Sequence, residues 1–186
     1  SLRAFAPSMT MPFRSVSNPD RETTGGRFTA DLAFGERITA TVGVDLQENR
    51  HSLRSTMNES MMPYEKMKRA EDGRFRNAGV FGELTLAAGP SGRVITGLRI
   101  DDWYAQDSRE MLRVGMTAVP NPTADEERNA TLFGGFGRYE HDLADGPFTV
   151  FAGLGHVERF PDYWELLAAG KETASGLSAF HARPEK

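Results

Sequence analysis

The stretch Arg27-Phe28-Thr29-Ala30-Asp31-Leu32-Ala33-Phe34 alternates polar and apolar residues, and so does Ile38-Thr39-Ala40-Thr41-Val42-Gly43-Val44-Asp45-Leu46-Gln47 shortly after it. Phe28, Ala30, Leu32 and Phe34 fall on even positions, as do Ile38, Ala40, Val42, Val44 and Leu46. Successive side chains of an extended strand point to opposite faces, so both runs place their apolar groups on one face. The second run continues for about ten residues, longer than the usual five or six of a globular strand. Gly35-Glu36 between them suits a hairpin turn.

Working outward, Ala78, Val80, Leu84 and Leu86 form a third run, and Val94, Leu98, Ile100 and Tyr104 a fourth. Asn77, Glu83, Thr85, Arg99 and Asp101 occupy the opposite face. Less regular runs span about 130–141 and 148–157, which makes six expected strands. Gly89-Pro90-Ser91-Gly92 and Leu143-Ala144-Asp145-Gly146 are further short turns, whereas roughly 48–76, 106–129 and 159–186 are long polar connections. Short and long connections alternate, so all short turns gather at one end of the sheet. Long dyad strands with this asymmetry predict an all-β, antiparallel transmembrane β-barrel segment, with short periplasmic turns and long extracellular loops.

Lipid requires every backbone group to be paired within the protein, and a closed sheet achieves this while one face stays polar. The mean hydropathy of −0.47 therefore does not oppose membrane insertion. Phe34, Trp103, Tyr104, Phe148 and Phe160 are candidates for an aromatic girdle at the interface. A soluble β-sandwich or small ligand-binding barrel is the alternative. Six strands fall short of the eight or so that close the smallest such barrels. The chain is therefore expected to be a fragment, residues 1–186 forming part of one barrel domain. Its apolar face is expected to drive self-association of that fragment. The opening residues also lack a charged-then-apolar leader, so no intact signal peptide is expected.

Composition narrows the function. Twenty-two basic against 26 acidic residues leave a net charge of −4, without the basic surplus of a nucleic-acid binder. Cysteine is absent, which removes disulfides, thiolate metal sites and cysteine nucleophiles. No Gly-x-Ser-x-Gly or His-x-x-x-His pattern is present, so no enzyme is expected. Gly134-Gly135-Phe136-Gly137 lies within a strand pattern and reads as close packing rather than a phosphate cradle.

Several segments carry a family resemblance. Ser17-Asn18-Pro19-Asp20-Arg21-Glu22-Thr23-Thr24-Gly25-Gly26-Arg27, Asn49-Arg50-His51-Ser52-Leu53-Arg54-Ser55, Phe81-Gly82-Glu83-Leu84-Thr85 and Gly97-Leu98-Arg99-Ile100-Asp101 resemble barrel segments of TonB-dependent copper receptors. The most specific is Glu158-Arg159-Phe160-Pro161-Asp162-Tyr163-Trp164-Glu165-Leu166, similar to the "F-R-x-P-x-x-x-E-L" segment of that family. Arg183-Pro184-Glu185-Lys186 resembles the start of its "L-x-P-E" motif.

The resemblance implies the outer membrane of a Gram-negative cell and uptake of copper or a copper complex. It also implies contact with outer-membrane lipid and energy from the TonB complex, reached through a plug domain that this chain lacks. Copper would be cargo, and no cofactor is implied. The family's Cys-x-x-x-Met and His-x-Met ligand pairs have no counterpart here.

The remaining ligand candidates come from the residues themselves. Met9 and Met11 project from the same side of an extended segment, and thioether sulfur suits Cu(I). Met57 and Met61, grouped with Met62, Met67 and His51 in the first long connection, would meet on a short helical turn. Methionine there could gather copper or could simply fill space as the loop folds over the mouth. Tyr163-Trp164-Glu165-Leu166-Leu167 predicts a short helix after Pro161, with Trp164 packed at the rim.

Overall fold

The computed structural model describes residues 4–6, 14–114, 117–143, 147–167, 179–181 and 183–185. Six long strands dominate: β2 (Ser15–Phe34), β3 (Ile38–Thr56), β4 (Ala70–Ala87), β5 (Gly92–Asp107), β8 (Glu127–Asp142) and β9 (Thr149–Val157). A short β1 (Ala4–Ala6) pairs with the start of β2, and β6 (Met111–Val114) with β7 (Thr117–Pro120) forms a separate small hairpin. All pairings are antiparallel, and the main sheet runs β1-β2-β3-β4-β5-β8-β9. β1 and β9 are its edges, so this segment of wall is not closed on itself.

The dyad pattern sets the faces as expected. Val44, Val80, Ile100 and Phe133 align in one row across β3, β4, β5 and β8. Outward apolar side chains remain open to the surroundings: Phe28 is 69% exposed, Leu98 73% and Leu154 87%. Water would penalise so much bare apolar surface at roughly 25 cal/mol per Å², whereas acyl chains would not. Outward apolar residues end at Leu46 on β3 and Ile100 on β5. Residues beyond them, toward the long connections, rise above the hydrocarbon.

The turns close with residues that adopt φ of +69° at Gly35 and +86° at Gly89. Both values lie in the left-handed region that favours glycine. Gly92 instead opens β5, and Ala144, Asp145 and Gly146 lie outside the described residues.

Five of the six long strands are longer than ten residues, β9 having nine, and the first connection shrinks from 48–76 to 57–69. The extra length is polar on the outward face: Glu22 opposes Arg50, and Arg50 opposes Arg74. Above the lipid both faces meet water, so the ladder continues while the alternation disappears.

The apolar core sits on the inner face, near the extracellular end. Phe75, Trp103, Ala105 and Leu132 are buried there beneath Phe160, Leu166, Leu167 and Phe180. The covering segment leaves β9 and folds back against the wall, carrying helix α1 (Tyr163–Leu167). Trp103 and Phe160 are thus core residues rather than an interfacial girdle, while Phe34 and Phe148 are exposed as a girdle requires.

Candidate functional site

The inner wall carries a charged cluster built on the register of four strands. Arg27 faces Asp45, Asp45 faces Gly79, and Gly79 faces Asp101. Arg99 reaches across β4 in a fork, placing Nη1 and Nη2 each 2.9 Å from an oxygen of Asp45. Its Nε also donates to Asp101 Oδ2 at 2.6 Å. Arg27 Nη2 donates to Asp45 Oδ2 at 3.0 Å, and both guanidiniums lie over the Phe81 ring, at 5.2 and 5.7 Å. A Cβ at Gly79 would collide with Arg99 Nη2, so glycine is what lets this bridge pass over β4. Two arginines and two aspartates neutralise each other here, giving a polar wall with a fixed charge pattern.

At the extracellular end, the covering segment is held by stacking and by polar ties. The Phe160 and Trp103 rings stack 3.3 Å apart at 13°. Tyr163 Oη donates to Asp72 Oδ2 at 2.7 Å, and the Tyr163 ring lies parallel to His51 at 4.0 Å. Leu167 comes so close to β4 that a Cβ at Gly73 would lie 2.5 Å from its Cδ1. Arg109 joins three segments. Its Nε and Nη2 bond the fully buried Asp107 at 2.8 and 2.7 Å, and its Nη1 donates to the Leu167 carbonyl at 3.1 Å. Asn121 Nδ2 and Thr123 Oγ1 also donate to Asp107, at 3.0 and 2.8 Å.

These environments shift the titrating groups in opposite directions. Burial raises the Asp72 carboxyl above its usual range, more than the Tyr163 hydrogen bond and Arg109 lower it. Burial and the neighbouring Asp72 together raise the Tyr163 hydroxyl. Burial also acts to raise Asp107, but the bonds from Arg109, Asn121 and Thr123 outweigh it and hold that carboxyl low. Burial, with a smaller contribution from Arg21, lowers the His51 imidazole below its ordinary value.

The sequence candidates for metal binding fall in separate parts of the chain. Met9 and Met11 lie outside the described residues. His51 is in β3 against Tyr163 and Phe75, outside the connection that holds Met57 and Met61. That connection forms a hydrogen-bonded turn from Met62 N to Asn58 O at 2.8 Å, followed by a short 3-10 turn over Tyr64–Lys66. Met61 is 79% exposed, and Met57 and Met62 are also exposed in this segment of wall. Helix α1 forms where expected, but Trp164 is 60% exposed rather than packed. Among the described residues, no three His, Asp or Glu side chains gather to hold a metal ion.

The reading of the sequence missed the Asp107–Arg109 corner, because its partners come from separate connections with no motif. It also missed the burial of Trp103, although a signal was available. Trp103 has the opposite parity to Leu98 and Ile100, so it had to point inward.

This architecture agrees with comparison to known proteins. Residues 4–185 match the family described as TonB dependent receptor-like, beta-barrel. The chain belongs to that family. Among solved structures, one titled "Copper transporter OprC" superposes with a TM-score of 0.86 at 42% sequence identity. The match covers 96% of this chain and 28% of that one, so the chain spans less than a third of that protein's length. No curated protein gives a significant match.

Proposed function

We propose that this TonB-dependent receptor wall belongs to an outer-membrane importer of copper or a copper complex in a Gram-negative cell. The observation that carries the reading is the 42% identity, spread over 96% of the chain, with a protein titled as a copper transporter. Supporting it are the lipid-compatible outer face and the polar inner wall. Energy would come through the TonB complex, engaged by a part of the receptor beyond this chain. Exposed thioethers at Met57 and Met61 suit first contact with Cu(I), which soft sulfur donors prefer.

Deleting the gene in its host and measuring cell copper by mass spectrometry under copper limitation tests this. Uptake should fall and return with the intact gene. Unchanged copper, with a deficit in another metal or chelate, would reassign the cargo.

A further inference from the structure

Gly82, in the middle of β4, faces outward between Val42 of β3 and Leu98 of β5. A glycine inside a strand weakens it, and where it is kept it marks a bulge, a bend or something approaching the backbone closely. Several other strand glycines have such a neighbour, although Gly26 and Gly137 are as open as Gly82. The Phe81 ring lies over Gly43, the Phe136 ring over Gly97, and Arg99 over Gly79. Gly82 does not: its backbone pairs regularly with both neighbours, and a Cβ there would meet nothing nearer than 3.9 Å. The missing side chain leaves a groove of about 450 Å³ in the outer face, walled by Phe28, Val42, Val44, Val80, Leu98 and Ile100.

We propose that this groove is a resident binding site for one acyl chain of a membrane lipid. The proposal rests on the outer-membrane reading. The groove is continuous with the outward apolar rows, and its lining is apolar apart from Arg99, whose guanidinium is engaged with Asp45 and Asp101. Both edges of β4 are already used in the sheet, so a further strand cannot add there. A flexible hydrocarbon chain needs no polar partner and can follow a channel between side chains, whereas an empty notch would forfeit dispersion contacts.

The test uses the full-length receptor carrying this chain, extracted in mild detergent without delipidation. Native mass spectrometry should show close to one retained lipid per receptor. Gly82→Leu should lower that occupancy by about tenfold, the scale set by losing burial of two methylene groups. Gly137→Leu, also outward-facing with open space at its Cβ but outside the groove, should retain the lipid. Heat-modifiable gel migration reports separately whether each variant is a folded barrel in the outer membrane. Failure of the wild type in that assay would count against the membrane reading itself.

If Gly82→Leu does not fold, the wild type alone decides. A phospholipid with a diazirine on its acyl chain should label Val42, Val80 and Leu98 more than Val150 and Leu154. Equal labelling of the two surfaces, retention of lipid by a folded Gly82→Leu, or cross-linking to a second receptor copy would each overturn the proposal.

Discussion

Arg159 and Glu185, 26 residues apart, meet twice. Their backbones exchange hydrogen bonds of 3.0 and 2.9 Å, and Arg159 Nη2 lies 3.0 Å from Glu185 Oε2. The same guanidinium forks onto Glu165, with bonds of 2.9 and 2.8 Å. Two separated family signatures, one around Arg159–Leu166 and the other at Arg183–Glu185, are therefore halves of one clasp. It fixes the segment whose Phe160, Leu166 and Leu167 seal the inner-face core.

Glu165→Ala should loosen that clasp, because it also removes the acceptor for Asp162 N at 2.8 Å. Amide hydrogen exchange is expected to quicken across 159–167 while the middle of β4 and β5 stays protected. Uniform exchange in both regions, before and after the change, would show that stacking alone holds the segment.

The assignment of faces gives a sharper contrast. Leu98→Arg places a charge on the outward apolar row and should cost about 2–4 kcal/mol if it lies at the membrane midplane. Thr39→Ala, on the inner face, should assemble normally. An outer-membrane assembly assay with equal yields for both would refute the assignment.

Gly79→Ala tests the Arg99 bridge. The added methyl group meets Arg99, Asp101 and Asp45 at once, so the fork onto Asp45 must break or shift. Overpacking of this kind typically costs about 1–3 kcal/mol. Arg99→Gln in the same background should recover part of the loss, since the nearest of the three contacts is then removed while those to Asp101 and Asp45 remain. Denaturation midpoints of the single and double variants decide this.

What was legible in the sequence follows from what each environment forbids. Between Phe28 and Leu46 lipid admits only apolar groups on one face, so alternation is strict and the strands can be read. Beyond Leu46, Glu48 and Arg50 face outward into water, and nothing in their chemistry distinguishes a strand from a loop. Trp103 was ambiguous for another reason. An inward aromatic needs a cover, and its cover, Phe160, arrives 57 positions later in the chain, a separation that no periodicity reports.

The extracellular corner should respond to pH in two opposed ways. Asp72 has a raised carboxyl, so its folded form binds protons more readily than the unfolded chain. Its contribution favours folding at low pH and is lost as pH rises through the window above 3.8. Asp107 is depressed, so its contribution is present above the unfolded value near 3.8 and is lost as pH falls through its lower folded value. Asp72→Asn keeps an acceptor for Tyr163 and should flatten the first dependence at little cost. Asp107→Asn leaves Arg109 without its buried counter-charge and should destabilise by roughly 3 kcal/mol. Thermal unfolding between pH 3 and 7 would separate the two, and identical profiles for both variants would refute this account.

The methionines of the first connection allow a prediction about copper itself. Met57, Met61 and Met62 are exposed, and as separate thioethers they should act as weak Cu(I) donors whose effect falls on capture rather than translocation. Changing all three to leucine keeps volume nearly constant and removes the sulfur. In the full receptor, the copper concentration giving half-maximal uptake should rise while the maximal rate stays the same. His51→Phe preserves a ring to stack on Tyr163 and removes both nitrogens. Because His51 lies in β3 rather than in this connection, it should leave half-saturation unchanged. If the triple change has no effect and His51→Phe does, capture depends on imidazole at the wall and the loop sulfur is incidental.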